Sequence, residues 1–240
     1  MKAMILAAGL GTRLQPLTDS LPKALVKLGG ITLLEITIEK LIKFGCDELV
    51  INVHHYASKI IDFLEQRKFF KCRINISDES DQLLDTGGGL KHAARFLEGN
   101  DPFILHNVDI LSDINLFDLE KAYKNYGNDV LATIVVNNRQ TNRVFLVNRE
   151  DQLCGWKNLM TGETKIATPS DMLESVSFCG IHMINPRIFN LIRMDGMFSM
   201  VDLYLQLCKE HKIRCWRNNE AKWIDVGTFE NLKLAEKLFF

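Results

Sequence analysis

Short apolar runs alternate with amphipathic stretches through the first half of the chain. Residues 3–6 are continuously apolar and predict a buried strand, and apolar positions from Leu34 to Ile42 recur at helical spacing and stop before Gly45. Further predicted elements are strands at 48–53, 73–76 and 103–105, and helices at 57–66, from near Gly89, and from Asn115 to Tyr126. This order predicts an α/β fold with a parallel sheet covered on both faces, where ligands bind outside the carboxyl ends of the strands.

The pattern changes after Asp129, where several strand-like segments follow one another with short connections. Strands are predicted at 130–136, 143–148, 152–156 and 176–184, and helices at 186–192, 199–209 and 229–238. This arrangement is typical of an antiparallel excursion. No linker, repeat or low-complexity segment interrupts the chain, so we expect one domain over 1–240, whose halves 1–128 and 129–240 share one sheet.

Composition excludes several classes of function. The 240 residues carry a formal net charge of −1, which leaves no electrostatic footprint for nucleic acid or for an anionic membrane. No apolar run reaches the roughly 18 residues that span a bilayer, and no signal peptide is recognisable. The 6 cysteines lack C-x-x-C spacing, which favours reduced, buried thiols over zinc or disulfides. We therefore expect a cytoplasmic protein, and self-association is left open.

A glycine-rich turn follows the first strand, in the string Leu6-Ala7-Ala8-Gly9-Leu10-Gly11-Thr12-Arg13. Bare backbone N–H groups at such a turn suit phosphate oxygens, although a tight turn alone would also explain the glycines. Arg13 adds a planar charged fork, and Lys23 adds a second cation on a segment that Pro22 keeps out of helix. Together they predict a triphosphate site.

Two acidic residues and a second glycine string extend this prediction. Asp109 comes just after the strand at 103–105, and Asp225 lies in the string Trp223-Ile224-Asp225-Val226-Gly227-Thr228. Each could simply be a loop or cap residue, but together they offer the oxygen ligands that Mg²⁺ prefers. The string Thr86-Gly87-Gly88-Gly89 at a helix start could let a flat nucleobase lie against the backbone.

The string L-A-A-G-x-G-T-R-L-x-P-L-T with the later P-K and W-x-D-x-G-T resembles the signature of the sugar-phosphate nucleotidyltransferases. These enzymes join a nucleoside triphosphate to a sugar 1-phosphate and release pyrophosphate. The T-G-G-G form is most similar to the N-acetylmuramate-1-phosphate uridylyltransferase and mannose-1-phosphate guanylyltransferase branches. The resemblance implies a three-layer α/β/α, Rossmann-like mixed sheet, a nucleotide-binding first half, a sugar-phosphate-binding second half and a role in nucleotide-sugar biosynthesis.

The same resemblance implies a role for each matching residue, with Mg²⁺ as the cofactor. Catalysis is assigned to Arg13, Lys23 and Asp109, and the metal to Asp109 and Asp225. The sugar phosphate is assigned to Lys23, Lys157, Glu174 and, in the string Phe178-Cys179-Gly180-Ile181, Gly180. The nucleotide is assigned to Leu6, Ala7, Ala8, Gly9, Gly11, Thr12, Arg13, Thr86, Gly87, Gly88 and Asn107.

The chain departs from the family pattern at two positions. Val108 stands where the family often has glycine, which leaves the Asp109 carboxylate intact but changes the turn, and the usual E-K-P string around the sugar-phosphate lysine is absent. Lys157 could therefore equally be a solvated loop lysine. Transfer to a non-sugar phosphate such as phosphocholine and a non-catalytic regulatory subunit are the alternatives, and the nucleobase and sugar stay open.

Overall fold

Helices and strands alternate along the first half of the chain, and strands dominate the second half. The computed structural model describes residues 1–240. The α-helices are α1 (Leu33–Phe44), α2 (Ala57–Gln66), α3 (Asp85–His92), α4 (Ala94–Leu97), α5 (Leu116–Tyr126), α6 (Met200–Leu207) and α7 (Phe229–Phe239). The strands are β1 (Lys2–Leu6), β2 (Lys27–Leu28), β3 (Ile31–Thr32), β4 (Glu48–Val53), β5 (Arg73–Asp78), β6 (Phe103–Asn107), β7 (Ile110–Ser112), β8 (Val130–Asn137), β9 (Arg143–Val147), β10 (Leu153–Asn158), β11 (Thr164–Ile166), β12 (Glu174–Ile184), β13 (Lys212–Arg217) and β14 (Trp223–Asp225).

One mixed sheet of 10 strands runs through both halves of the chain. The first half contributes the parallel strands β6-β1-β4-β5, in that order. The antiparallel strand β12 joins them to the second half, because it pairs with β6 and also with β8 and β9. The predicted α/β class, the parallel first half, the antiparallel excursion and the shared sheet are all confirmed.

The two faces of this sheet bury separate apolar clusters. Alternate residues of β1 point to opposite faces, so that Ile5 belongs to a cluster of 36 buried residues and Met4 to one of 27. Helices α1, α2, α5 and α7 pack into the first cluster, and α3, α4 and α6 pack into the second. This is the three-layer arrangement that the sequence predicts. None of the helices has the length and apolar content needed to cross a membrane.

Local signals fix the ends of several helices where the sequence predicts them. Gly45 closes α1 with φ of 103°, a left-handed conformation that glycine adopts without a Cβ penalty. Asn115 and Thr228 cap α5 and α7 through their side-chain oxygens, as expected. Two predictions were wrong in detail: residues 186–190 form a 3-10 helix, and the helix expected from near Gly89 begins at Asp85.

The earlier start of α3 puts the glycines of the T-G-G-G string inside the helix, where a loop of the second half packs on them. The backbone N–H groups of Gly87 and Gly88 donate to the Phe198 carbonyl at 2.9 and 3.1 Å. A Cβ at Gly88 would lie 2.4 Å from the Gly196 carbonyl oxygen, and one at Gly87 would lie 2.6 Å from the Phe198 ring. These two glycines therefore allow close contact between the halves.

We expect Gly88→Ala to lower the free energy of unfolding by about 1–2 kcal/mol, because the clash with backbone outweighs the gain in helix propensity. Urea unfolding measures the effect. Gly9→Ala is the matched control, since a Cβ at Gly9 meets nothing within 4 Å, and its free energy of unfolding should stay within about 0.5 kcal/mol of the natural protein. Equal stability of the two variants would contradict the close packing at Gly88.

Two histidines are buried in the sheet, one toward each face. Burial lowers the pKa of both His106 and His182 to about 3. Nδ1 of His182 is hydrogen-bonded to the Tyr204 hydroxyl at 2.9 Å, and nothing in the protein contacts its Nε2 within hydrogen-bond distance. Both rings are consequently neutral in the folded protein and become protonated on unfolding below the ordinary histidine pKa of about 6.5.

Acidification should therefore destabilise the fold partly through His182. Between pH 6.5 and 3 the unfolded chain binds more protons than the folded protein. The contribution of His182 to the free energy of unfolding therefore falls as the pH falls, by at most about 1.4 kcal/mol per pH unit. In His182→Gln this contribution is removed. Urea unfolding at pH 7, 5.5 and 4.5 should therefore show a smaller acid-dependent loss in the free energy of unfolding than in the natural protein. The exposed residue His55 gives the control, His55→Gln, whose slope should be unchanged. An unchanged slope in His182→Gln would contradict the prediction.

Candidate active site

A cavity of about 370 Å³ opens at the carboxyl ends of the parallel strands β1 and β6. The turn after β1 forms one wall, and residues after β6 form another. The residues assigned from sequence that line it are Leu6, Ala7, Ala8, Gly9, Gly11, Thr12, Arg13, Lys23, Thr86, Asn107 and Asp109. Gly87 and Gly88 do not line it, because they lie beneath Phe198 and Gly196. In the structure these two glycines allow the halves to pack closely, and their assignment to nucleotide contact stays a prediction.

The turn after β1 is fixed by contacts with neighbouring residues. Gly11 has φ of +68°, and a Cβ there would lie 3.0 Å from both the Lys23 and Thr18 side chains. The Thr18 hydroxyl donates to the Gly11 carbonyl at 2.9 Å, and the Ala7 N–H donates to Asn52 Oδ1 at 2.7 Å. At Gly9, which lines the cavity, a Cβ would meet nothing within 4 Å, so that the backbone here is open to a ligand.

Lys23 is a buried cation on the floor of this site. Pro22 has extended backbone angles, φ −66° and ψ 147°, and directs the chain into the short 3-10 helix that begins at Lys23. The Lys23 ammonium forms an ion pair with Asp109 Oδ2, and their side chains are only 10% and 20% exposed. An anion entering the cavity would therefore meet a positive charge that is partly shielded from water.

Asp225 comes from the far end of the chain and lies beside Asp109. Strand β14 pairs antiparallel with β7, with Asp225 opposite Ile110, and the Val226 N–H donates to the Asp109 carbonyl at 2.9 Å. Burial raises the pKa of Asp225, and the neighbouring Asp109 raises this pKa further, whereas Lys23 lowers it. The two carboxyl groups are thus close enough to repel one another.

Arg13 completes a group of two cations and two acids. Its Nη2 lies 4.0 Å from Asp225 Oδ2, and its side chain is 63% exposed, so it remains available to an incoming anion. The Gly227 N–H donates to Asp225 Oδ1 at 2.7 Å and holds that carboxylate in position. The structure thus brings together Arg13, Lys23, Asp109 and Asp225, as the sequence predicts.

The expected sugar-side residues are not gathered in the same way. Glu174 accepts a hydrogen bond from Arg217 Nη2 at 2.7 Å, and neither Glu174 nor Lys157 lines the cavity. Gly180 does lie beside the site: it has φ of +74°, and a Cβ there would be 3.2 Å from Asn107 Nδ2. The assignment of Lys157 and Glu174 to the sugar phosphate therefore finds no support in the geometry.

Sequence reasoning gave no site role to several other residues of the cavity, among them Asn52, Glu79 and Met197. Asn52 Nδ2 donates to Glu79 Oε1 at 2.8 Å, while the buried Glu79 Oε2 has no hydrogen-bond partner. Burial raises the pKa of Glu79, and the Asn52 hydrogen bond opposes this rise. The available signal was a polar residue at the carboxyl end of each parallel strand, Asn52 in β4 and Glu79 directly after β5.

Comparison with known proteins agrees with this geometry. Residues 2–238 match the family model described as nucleotidyl transferase. The chain is 32% identical over 236 residues to N-acetylmuramate alpha-1-phosphate uridylyltransferase of Caulobacter vibrioides, covering 94% of this chain and 91% of the relative. It is 31% identical over 229 residues to mannose-1-phosphate guanyltransferase of Pichia angusta, covering 95% of this chain but only 61% of that longer protein.

A solved structure shares this fold. The structure of UDP-glucose pyrophosphorylase from Acinetobacter baumanii superposes with a TM-score of 0.78 at 19% sequence identity, covering 99% of this chain and 92% of that one. At this identity the likeness shows the fold, which is the α/β nucleotide-diphospho-sugar transferase fold. The family match over nearly the whole chain, together with the relative at 32% identity, establishes that this chain belongs to the nucleotidyl transferase family.

Proposed function

We propose that this chain transfers a nucleotidyl group from a nucleoside triphosphate to a sugar 1-phosphate, giving a nucleotide sugar and pyrophosphate. The observation that carries the proposal is the meeting of Arg13, Lys23, Asp109 and Asp225 at the mouth of the glycine-rich turn. Family membership and the relatives, which are a uridylyltransferase and a guanyltransferase, support the same reaction.

The reaction is an in-line displacement at the α-phosphorus. An oxygen of the sugar phosphate forms a bond to the α-phosphorus, the bond to the bridging oxygen of pyrophosphate breaks, and the electron pair leaves with pyrophosphate. The attacking phosphate is already ionised at neutral pH, so no side-chain nucleophile is required. Catalysis then consists of positioning the two anions and stabilising charge, as in other phosphoryl transfers.

Each side chain of the group has a task in this scheme. The backbone N–H groups at Gly9 and Gly11 receive the phosphate oxygens, and the exposed guanidinium of Arg13 stabilises charge on the departing pyrophosphate. Lys23 reduces the repulsion between the two phosphorylated reactants. Its ion pair with Asp109 holds both side chains in place before substrate arrives.

Asp109 and Asp225 fit a divalent cation on the chemistry of their donors. Two carboxylates that repel one another present hard oxygen ligands, and Mg²⁺ usually takes one or two carboxylates while waters and substrate phosphates complete its shell. We propose these two residues as the magnesium ligands. When bound, the ion would neutralise phosphate charge at the reacting centre.

Glu79 is proposed to read the nucleobase. Its free Oε2 is a buried acceptor in the wall of the cavity, and an N–H group of a base would satisfy it. Because Asn52 already occupies Oε1, a single N–H donor is enough. Uracil and guanine both carry a ring N–H of this kind, which is consistent with the two classes of relatives.

Release of pyrophosphate tests the proposed function. The protein is incubated with Mg²⁺, each of UTP, GTP, CTP and ATP, and the 1-phosphates of N-acetylmuramate, mannose and glucose, with phosphocholine as a further acceptor. We expect release with UTP or GTP and one of the sugars, and a fall in kcat of about 10²-fold or more in Asp109→Asn. The control is Asp113→Asn, at an exposed residue shortly after Asp109 in the chain, and its kcat should be nearly that of the natural protein. No turnover with any sugar, or full activity of Asp109→Asn, would contradict the proposal.

Replacing Glu79 should weaken nucleotide binding selectively. In Glu79→Gln the amide can keep the Asn52 bond but presents a donor toward the base N–H, so KM for the nucleotide should rise about 10-fold or more, with KM for the sugar phosphate changed less than 2-fold. Initial rates with each substrate varied in turn measure both values. Glu65→Gln, on the exposed face of α2, is the control. An unaltered nucleotide KM in Glu79→Gln would exclude the base contact.

A further inference from the structure

Arg139, in the segment directly after β8, has an unusual environment for a charged side chain. Its guanidinium lies 3.6 Å from the centroid of the Trp223 ring, within cation–π distance. Nη2 donates to the Phe178 carbonyl at 2.6 Å, and Nη1 donates to Asn137 Oδ1 at 3.1 Å and to Cys179 Sγ at 3.7 Å. These contacts fix the plane and position of the guanidinium.

No carboxylate pairs with this cation. Arg139 forms no ion pair within 4.0 Å, and its three hydrogen bonds leave two of the five guanidinium N–H groups without an acceptor in the protein. Burial lowers the pKa of Arg139, although an arginine keeps its charge, and the nearby Asp225 carboxylate acts in the opposite direction. A half-buried charge with free donors is a site for an anion.

Arg139 also lines a second cavity, of about 610 Å³. None of its lining residues is acidic, and its other polar walls come from Asn138, Gln140, Thr141, Asn142, Ser175 and Ser177. Hydroxyl and amide side chains of this kind both donate and accept hydrogen bonds, which suits the hydroxyls of a sugar. The arginine is the one charge in this lining.

The position of Arg139 relates this cavity to the carboxylate pair. Trp223, whose ring stacks on the Arg139 guanidinium, lies two residues before Asp225 on β14. The Trp223 Nε1 donates to the Cys179 carbonyl at 2.8 Å. Cys179 precedes Gly180, which lies beside Asn107 in the first cavity. Arg139 is therefore held, through Trp223, against the strand that carries Asp225.

We propose that Arg139 binds the phosphate of the sugar 1-phosphate, and that the adjoining cavity holds the sugar. The inference rests on the proposed function and assigns to Arg139 the task for which the sequence suggested Lys157. A guanidinium fork matches phosphate geometry, and its charge offsets the repulsion between the incoming phosphate and Asp225. The stack on Trp223 and the bonds to Phe178 and Asn137 orient the fork before the substrate arrives.

Steady-state kinetics of Arg139→Gln and Arg139→Lys test this inference. We expect KM for the sugar 1-phosphate to rise about 10- to 100-fold in Arg139→Gln, with KM for the nucleotide changed less than 2-fold, and an intermediate rise in Arg139→Lys, which keeps the charge without the fork. Arg143→Gln, at the exposed start of β9, is the matched control and should resemble the natural protein. An unchanged sugar-phosphate KM in Arg139→Gln, or an equal rise of both KM values, would overturn the inference.

Direct binding separates failure of this inference from failure of the proposed function. Inorganic phosphate is titrated into the protein without nucleotide, and tryptophan fluorescence reports anion binding next to Trp223. We expect a saturable change in the natural protein and in Arg143→Gln that is lost in Arg139→Gln. If no sugar 1-phosphate supports turnover, the proposed function fails. Even then, a fluorescence change that is present in the natural protein and in Arg143→Gln but lost in Arg139→Gln supports an anion site at Arg139. If turnover occurs and the signal persists in Arg139→Gln, only the assignment of Arg139 is wrong.

Discussion

Two short strands, β7 and β14, hold together the chemistry of this protein. Their antiparallel pairing places the Asp225 carboxylate, from near the end of the chain, beside that of Asp109, from its middle, and that proximity requires compensation by Lys23 and Arg13. Like charges in partly buried positions raise one another's proton affinity, as the pKa of Asp225 reflects. The fold thus maintains an electrostatic conflict that a bound cation would resolve, and the large sheet supplies the rigidity that maintains it.

The first half of the fold could be predicted from sequence because its signals are local. Strand β4 and helix α2 have the bounds that periodicity gives, and Thr228 and Asn115 begin helices through their own side chains. Strands β7, β13 and β14 were missed for a physical reason. They are short or carry alternating charges, as in Lys212–Arg217, and they become strands only because a distant partner offers hydrogen bonds.

The candidate site was predictable to the extent that its residues sit in motifs. The turn at Gly9, the cations Arg13 and Lys23 and the acids Asp109 and Asp225 all lie in strings that the sequence alone identifies. Gly87 and Gly88 mark a limit of this reasoning, because a glycine string shows that close approach is needed but not what approaches, and here Phe198 and Gly196 pack against them. Arg139 gave no signal, since its importance lies in a stack with Trp223, 84 positions further along the chain.

The course of the sheet also bears on how the chain is made. Strand β6 lies between β1 and β12, and its second neighbour is synthesised about 70 residues later, as the bounds of β6 and β12 indicate. Until then a growing polypeptide on the ribosome presents an uncovered edge of unpaired backbone groups, the kind of surface that recruits other strands. Closure of that edge is a late, long-range event, because the entropy of closing the loop between the two strands must be lost before their pairing is formed.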